Sequence, residues 1–183
     1  MQIRTERLLL RPFAERDVDD VWAYQRLPEV ARHMLRPAFD RDGSAAFVRV
    51  VMAEIAIRAA GDTITFAVVL PETNRVIGEV ALTVHSLVHR GGELGYALDP
   101  GHQGRGYATE SAEALLRLGF TELGLHRIIA TCSARNTASV RLMARLGMRC
   151  EAHLLGVRKV EGRWRDELVY AILADEWRVT RSR

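Results

Sequence analysis

The sequence predicts a single α/β domain over residues 1–183, built on a mixed, mostly antiparallel sheet of about seven strands flanked by about four helices. Three observations lead there. A chain of 183 residues fills one well-buried core and is short for two. Apolar runs of strand length alternate with segments whose apolar residues recur at three- and four-residue spacing, in the order β–α–α–β–β–β–α–β–α–β–β. No internal repeat, linker or low-complexity segment interrupts that order.

Residues 3–13 hold Leu8-Leu9-Leu10 between arginines, a strand-length run that ends at Pro12. In residues 14–25 the acids Glu15 and Asp17 come early and Val18, Val21 and Trp22 share a face. This predicts an amphipathic helix with its charges at the favourable end, stopped by Pro28. Residues 35–42 read as loop. Ser44 is placed to cap a second helix whose buried stripe is Phe47, Val50, Val51, Ile55 and Ile57, closed by Ala59-Ala60-Gly61. Residues 63–70 are rich in β-branched side chains, and Pro71-Glu72-Thr73-Asn74 turns them into residues 75–84 as an antiparallel hairpin. A loop is expected over 85–92 and a strand over 93–98. Residues 127–133 read as a buried strand, and 136–146 as an amphipathic helix closed by Gly147. Residues 150–157 and 167–172 then pair around a turn at Glu161-Gly162, and Trp177 docks a last helical turn.

Bulk properties exclude several function classes. A hydrophobic content of 48% with 27% charged residues is that of a soluble globular protein. No apolar run reaches membrane-span length and residues 1–6 lack a signal-peptide core, so the expected location is the cytoplasm, with no membrane partner. Net charge is +3, with arginines scattered rather than blocked, which does not point to nucleic acid and suits an anionic cofactor. Cys132 and Cys150 form neither a disulfide framework nor a zinc site and read as buried, ordinary thiols. His85 and His89, four apart, have no acidic partner in a zinc motif, so no metal is expected. Trp22, Trp164 and Trp177 read as packing anchors.

The chain is organised around residues 96–120. A strand into Leu98 breaks at Asp99-Pro100-Gly101, and Gln103-Gly104-Arg105-Gly106-Tyr107-Ala108 then opens a helix with Ala108, Ala112, Leu115, Leu116 and Phe120 on one face. A helix entered through glycines leaves backbone N–H groups free beside the positive end of its dipole, an anion site suited to a diphosphate. A triphosphatase loop would need a following lysine, which is missing; the G-x-G-x-x-G fingerprint fails because its third position falls on Thr109. On residues alone, a plain strand–turn–helix joint remains open.

The hexapeptide at 103–108 fits the Q/R-x-x-G-x-G/A signature of the GNAT superfamily of acyl-CoA-dependent N-acetyltransferases. The opening T-E-R-L-L-L-R-P, E-L-G-Y at 93–96, N-T-A-S-V-R-L-M-A-R-L-G-M from Asn136 and the closing R-D-E-L-V-Y resemble the ribosomal-protein N-terminal acetyltransferase branch (the Rim type), nearly end to end. The resemblance implies a GNAT fold and acetyl-CoA as cosubstrate, with an amine-bearing acceptor such as a protein N-terminus or a small molecule. Families of this kind commonly form homodimers.

It also implies site residues. The diphosphate of coenzyme A would sit on the backbone of Gln103, Gly104, Arg105, Gly106, Tyr107 and Ala108, with Arg105 adding charge or simply solvated. The backbone at Ala97 and Leu98 would pair with the pantetheine arm, and an amide there would polarise the thioester carbonyl. Glu93 would be the base that frees the amine of its proton; otherwise it is a surface carboxylate. Branch members place a serine where others use a tyrosine to hydrogen-bond the leaving thiolate, which gives Ser139 that role or a helix-cap role. Asn136 would contact the pantetheine amides, cap the helix, or both. Glu110 is expected to face solvent. Substrate selection would lie in residues 28–42 and 158–165. The competing function is a catalytically inactive CoA-binding sensor, suggested by the lack of a tyrosine in residues 136–146.

Overall fold

Residues 63–70 (T-I-T-F-A-V-V-L) set the sheet's two-sided burial. As strand β3 (Thr63–Leu70), they send Ile64, Phe66 and Val68 into one apolar core and Ala67 and Val69 into another. The computed structural model describes residues 1–34, 37–160 and 162–181, apart from the side chains of Thr180 and Arg181. Around β3 the other strands are β1 (Ile3–Arg4), β2 (Leu9–Arg11), β4 (Arg75–Ser86), β5 (Gly91–Leu98), β6 (Arg127–Ser133), β7 (Arg149–Val160) and β8 (Arg163–Leu173). They form one sheet in the order β1-β2-β3-β4-β5-β6-β8-β7, antiparallel except for the β5–β6 pair. This is the mixed, mostly antiparallel α/β architecture expected, with eight strands and six helices among the described residues.

Helices α1 (Val18–Gln25), α2 (Pro28–Met34) and α3 (Arg41–Val51) cover one face of the β2–β4 half through Val21, Tyr24, Val30, Val48 and Val51. On the other face lie α4 (Tyr107–Arg117), a π turn at Leu118–Glu122, α5 (Thr137–Arg145) and α6 (Ala174–Arg181). There Ala112, Leu115, Leu116, Leu142, Met143 and Trp177 share the larger core with Leu82, Leu94 and Ile128. A fully buried leucine such as Leu115 contributes roughly 1.5–3 kcal/mol relative to exposure.

Several local expectations change. Pro28 does not simply stop α1; it opens α2, because its fixed φ and missing N–H suit a first helical turn. The cap of α3 is Asp40, whose Oδ1 accepts from Gly43 N at 2.7 Å, while Ser44 is buried inside the helix. The buried face of that helix carries Val48 and Val51, which leaves Val50 on the outer face, and the helix ends at Val51, so Ile55 beyond it is exposed too. The triplet 8–10 contributes to a two-strand hairpin rather than one strand. The loop expected over 85–92 shrinks to 87–90, because β4 runs on to Ser86 and β5 starts at Gly91. Cys150 is exposed on the edge strand β7, and Trp164 is exposed near the start of β8, beside the β7–β8 turn. Leu35, Arg36 and Glu161, expected in loop and turn, lie outside the described residues. Among the described residues no helix is long and apolar enough to cross a membrane.

Candidate active site

The site begins where two strands part. β5 and β6 run parallel but pair only at Gly91↔Arg127, Gly92↔Ile128 and Glu93↔Ile129. Beyond that point β5 stays paired with β4 as far as Gly78↔Leu98, and β6 stays paired with β8 as far as Ser133↔Glu167. Residues 94–98 and 130–133 therefore face each other without ladder partners on their inner edges. An extended ligand entering there can bond to the edge that has no ladder partner, as an added strand, Ala97 and Leu98 lying on that edge.

On the α4 side, the break after Leu98 is organised by Asp99, which accepts from Gly101 N at 3.1 Å and lies 2.8 Å from His102 Nδ1. Gln103 Nε2 donates to Leu98 O at 3.4 Å. Gly104 and Gly106 then take left-handed φ values of 76° and 82°, open to glycine at no steric cost. Gly106 is the N-cap of α4 and brings no capping side chain. Among the described residues, no acceptor engages the N–H groups of residues 104–109. A row of free amides at the positive end of an eleven-residue helix can hold an anion. The side chain of Arg105 is exposed, and those of Tyr107 and Ala108 are half-buried against the larger core.

What fixes this loop was missed from sequence. Arg7 Nη1 donates to Arg105 O at 2.8 Å, its Nε donates to Glu110 Oε2 at 2.8 Å, and its guanidinium carbon lies 4.9 Å from the centroid of the Tyr107 ring. Thr5 Oγ1 and Arg7 N both donate to Glu110 Oε1, at 2.6 and 2.8 Å. Glu110 does not face solvent as expected: its side chain is only 14% exposed. Burial pushes its carboxyl pKa up, but the hydrogen bonds from Thr5 and Arg7 outweigh that and hold it below 4.5. Arg7 thus cancels the one acidic charge in the first turn of α4. The T-E-R-L run was a visible signal, but nothing local links it to a loop about a hundred residues away.

On the opposite face stands Glu93, the last β5 residue paired with β6. Its Oε1 accepts from Thr131 Oγ1 at 2.9 Å, and its Oε2 lies 3.0 Å from His85 Nε2. The carboxylate is 31% exposed. Gly95, on the same face by strand alternation, is exposed, and a Cβ there would meet nothing within 4 Å. Glu93 therefore borders an open floor from which an amine can reach it. The two histidines noted in sequence do not act together; His85 belongs to β4 and pairs with Glu93 instead.

Between the two faces lie hydroxyls. Asn136 is the N-cap of α5, its Oδ1 accepting from Ser139 N at 3.1 Å, so the capping expectation holds for Asn136, with the Ser139 N–H as the capped group. The phenol of Tyr96, from β5, lies close enough to the Ser139 hydroxyl that, against the larger effect of burial, this hydroxyl draws its pKa down. Burial pushes the Tyr96 pKa up to about 12, so the phenol stays protonated. Tyr96 stood in the sequence within E-L-G-Y, but no periodicity pairs it with Ser139. Burial, with the charge of Glu167, likewise raises the Cys132 thiol to about 11.

A cavity of about 290 Å³ opens beside the Glu93 face, lined by Arg32, His33, Ser133, Arg135, Val160 and Arg165. Its walls come from α2, the end of β6 and the β7–β8 hairpin, the two segments expected to carry selection among them. Desolvation and then the charge of Arg32 lower the His33 pKa, leaving it neutral at pH 7. Among the described residues no group of three or more His, Cys, Asp or Glu side chains could hold a metal.

Residues 7–149 match the model of the acetyltransferase (GNAT) domain, and the chain belongs to that family. It is similar to the uncharacterized N-acetyltransferase YnaD of Bacillus subtilis (35% identical over 178 residues, 97% of this chain and 99% of the relative). It is also similar to the [ribosomal protein uS5]-alanine N-acetyltransferase of Escherichia coli (27% identical, 97% of this chain and 93% of the relative). The crystal structure of the GNAT-family acetyltransferase from Bacillus anthracis superposes with a TM-score of 0.85 at 34% identity, over 96% of this chain and 99% of that one.

Proposed function

We propose that this GNAT family member acts as one N-acetyltransferase domain, moving an acetyl group from acetyl-CoA to a primary amine by direct attack in a ternary complex. One observation carries the reading. A row of free amides at residues 104–109 and a half-exposed carboxylate at Glu93 lie on opposite faces of the cleft where β5 and β6 part.

When bound, acetyl-CoA supplies the activated acyl carbonyl and leaves as the free thiol. The amides from Gly104 to Ala108 hold its diphosphate, with Gln103 and Arg105 beside them, and Arg7 keeps their loop in place. The unpaired edge at Ala97 and Leu98 bonds the pantetheine arm and orients the acyl carbonyl. Asn136, already spent on its cap, contributes one remaining amide group. Glu93, oriented by Thr131 and His85, takes the proton from the attacking amine. The Ser139 hydroxyl donates a hydrogen bond to the departing sulfur, with the protonated Tyr96 phenol behind it. A covalent route through Cys132 has little support, because a thiol with a pKa of about 11 is almost wholly protonated at pH 7.

The name of the uS5-alanine relative makes a protein N-terminal α-amine one acceptor class to test. The sensor reading drew on the absence of a tyrosine from α5, and the approach of Tyr96 to Ser139 from β5 weakens it. The test is calorimetry with acetyl-CoA on the wild type and on Gly106→Glu, followed by thiol release with a panel of amines. Gly106 has φ 82° and its added Cβ would lie 3.2 Å from Arg7 Nη2, so the variant is expected to lose binding by about a hundredfold or more. No binding to the wild type would refute the proposal. Binding without turnover on any amine would return the sensor.

A further inference from the structure

Among the described residues, the cavity beside Glu93 is lined by three arginines and by no acidic side chain. Among the described residues none of Arg32, Arg135 and Arg165 forms an ion pair. They come from three separate elements, so the fold brings like charges together around one space, which is unfavourable until an anion enters. Carboxylates exist nearby but are engaged. Asp166 accepts from Gly156 N at 3.0 Å and lies 3.2 Å from His153 Nε2, with Arg135 a more distant influence, and Glu167 lies 3.5 Å from Arg158 Nε. His33 in the same wall is neutral at pH 7 and adds a polar group without adding charge.

The position of this space relative to the carboxylate is set by β6. Thr131 bonds Glu93, and Ser133, two residues on and on the same strand face, lines the cavity. Two strand residues span about 7 Å. The amide row belongs to α4 on the other face of the sheet, while α2 and its Arg32 pack on the Glu93 side through Val30.

We propose that the acceptor is an acidic amino-terminal peptide: its amine meets Glu93 while a carboxylate about 7 Å or more away is held by Arg32, Arg135 and Arg165. The inference rests on the acetyl-transfer reading and narrows its acceptor. A free α-amino acid is too short, its carboxylate being one carbon from its amine. A peptide with Asp or Glu at its second or third residue spans the interval. A polyamine would bring positive charge into the arginine wall and is disfavoured.

The test compares three acceptors in the thiol-release assay: a peptide beginning Ser-Glu-Glu, one beginning Ser-Lys-Lys, and spermidine. Each is run at low and high salt, on the wild type and on the double variant Arg32→Glu/Arg135→Glu. The acidic peptide is expected to lead in kcat/KM by about tenfold or more, mainly through KM, with salt eroding the lead. The double variant should lose or reverse the order while keeping its melting temperature and acetyl-CoA affinity. Equal use of all three, or preference for either cation, overturns the inference and leaves acetyl transfer standing. Weaker binding of CoA but not of dephospho-CoA in the double variant would assign the arginines to the cofactor's 3′-phosphate, and would also overturn it. If acetyl-CoA binds and no acceptor turns over, the transfer reading falls; calorimetry of the acidic peptide against the CoA-bound protein then reads the cavity directly, and absence of binding there sinks the inference too.

Discussion

The two ends of the cleft both offer positive potential, but they are built from different material. At the α4 end it comes from backbone N–H groups in a loop with two left-handed glycines, tied down by Thr5, Arg7 and Glu110. At the other end it comes from the guanidiniums of Arg32, Arg135 and Arg165, of which the first two are exposed and none is ion-paired among the described residues. Backbone amides cannot be changed by substituting a side chain, so such a site suits a ligand that never varies. Side-chain charges are exchanged one residue at a time, so such a site suits a ligand that differs between relatives. On the proposed function, the first end would hold the cofactor and the second would choose the acceptor, with the base Glu93 outside the first.

If that division holds, removing the base should leave the first end untouched. Glu93→Gln keeps the shape and the contact with Thr131 but cannot take a proton. A fall in kcat of about 10²–10⁴ is expected, with acetyl-CoA affinity unchanged by calorimetry. A variant with wild-type kcat across the pH range would take Glu93 out of the mechanism. A large loss of acetyl-CoA affinity would show that the two ends are not separable at this residue.

A smaller effect is expected at the tie beneath the loop. Glu110→Gln weakens the hold on Arg7 and, through it, on the Arg105 carbonyl, without touching any amide of the loop. Acetyl-CoA affinity should drop by about tenfold through lost pre-organisation. The pH dependence has a defined sign. The folded pKa of Glu110 lies below 4.5, so its contribution is full above the unfolded value and is lost as pH falls through the lowered one. The wild type should therefore lose acetyl-CoA affinity at acid pH along a limb that the variant lacks. An identical acid limb in both proteins would remove Glu110 from the support of the loop.

The same contrast explains what the sequence could tell. The amide end was legible because local rules govern it: glycines before a periodic helix predict the cradle, and β6, the Asn136 cap and the stop at Gly147 follow from strand and capping patterns. Trp177 docks as expected, 5.5 Å from Phe120 between ring centroids. What failed locally was judged from single residues with two roles, such as Pro28, which can end one helix or begin another, and Ser44, outcompeted as a cap by Asp40. What was not legible depends on contacts between distant segments. The parting of β5 and β6 after Glu93, the reach of Arg7 to Arg105, the meeting of Tyr96 with Ser139 and the arginine wall all join residues with no pattern in common. The family resemblance supplied Glu93 and Ser139 as candidates, and geometry supplied their neighbours.

The smallest expected effect lies between the two ends, at Ser139, where hydroxyl and backbone have separate jobs. Its N–H receives the Asn136 cap, and its hydroxyl meets the Tyr96 phenol. Ser139→Ala keeps the capped N–H, so the helix should keep its start and the melting temperature should barely move. If the hydroxyl donates to the departing sulfur, kcat should fall by about three- to tenfold, the worth of one hydrogen bond, with KM for both substrates little changed. Tyr96→Phe should produce a smaller loss of the same kind, because it removes the partner rather than the donor. With the Tyr96 pKa at about 12, no alkaline limb from this phenol should appear below about pH 11 in the wild-type profile. An unchanged kcat in Ser139→Ala would leave the residue as no more than the place where Asn136 caps α5, and the leaving group would then take its proton from solvent.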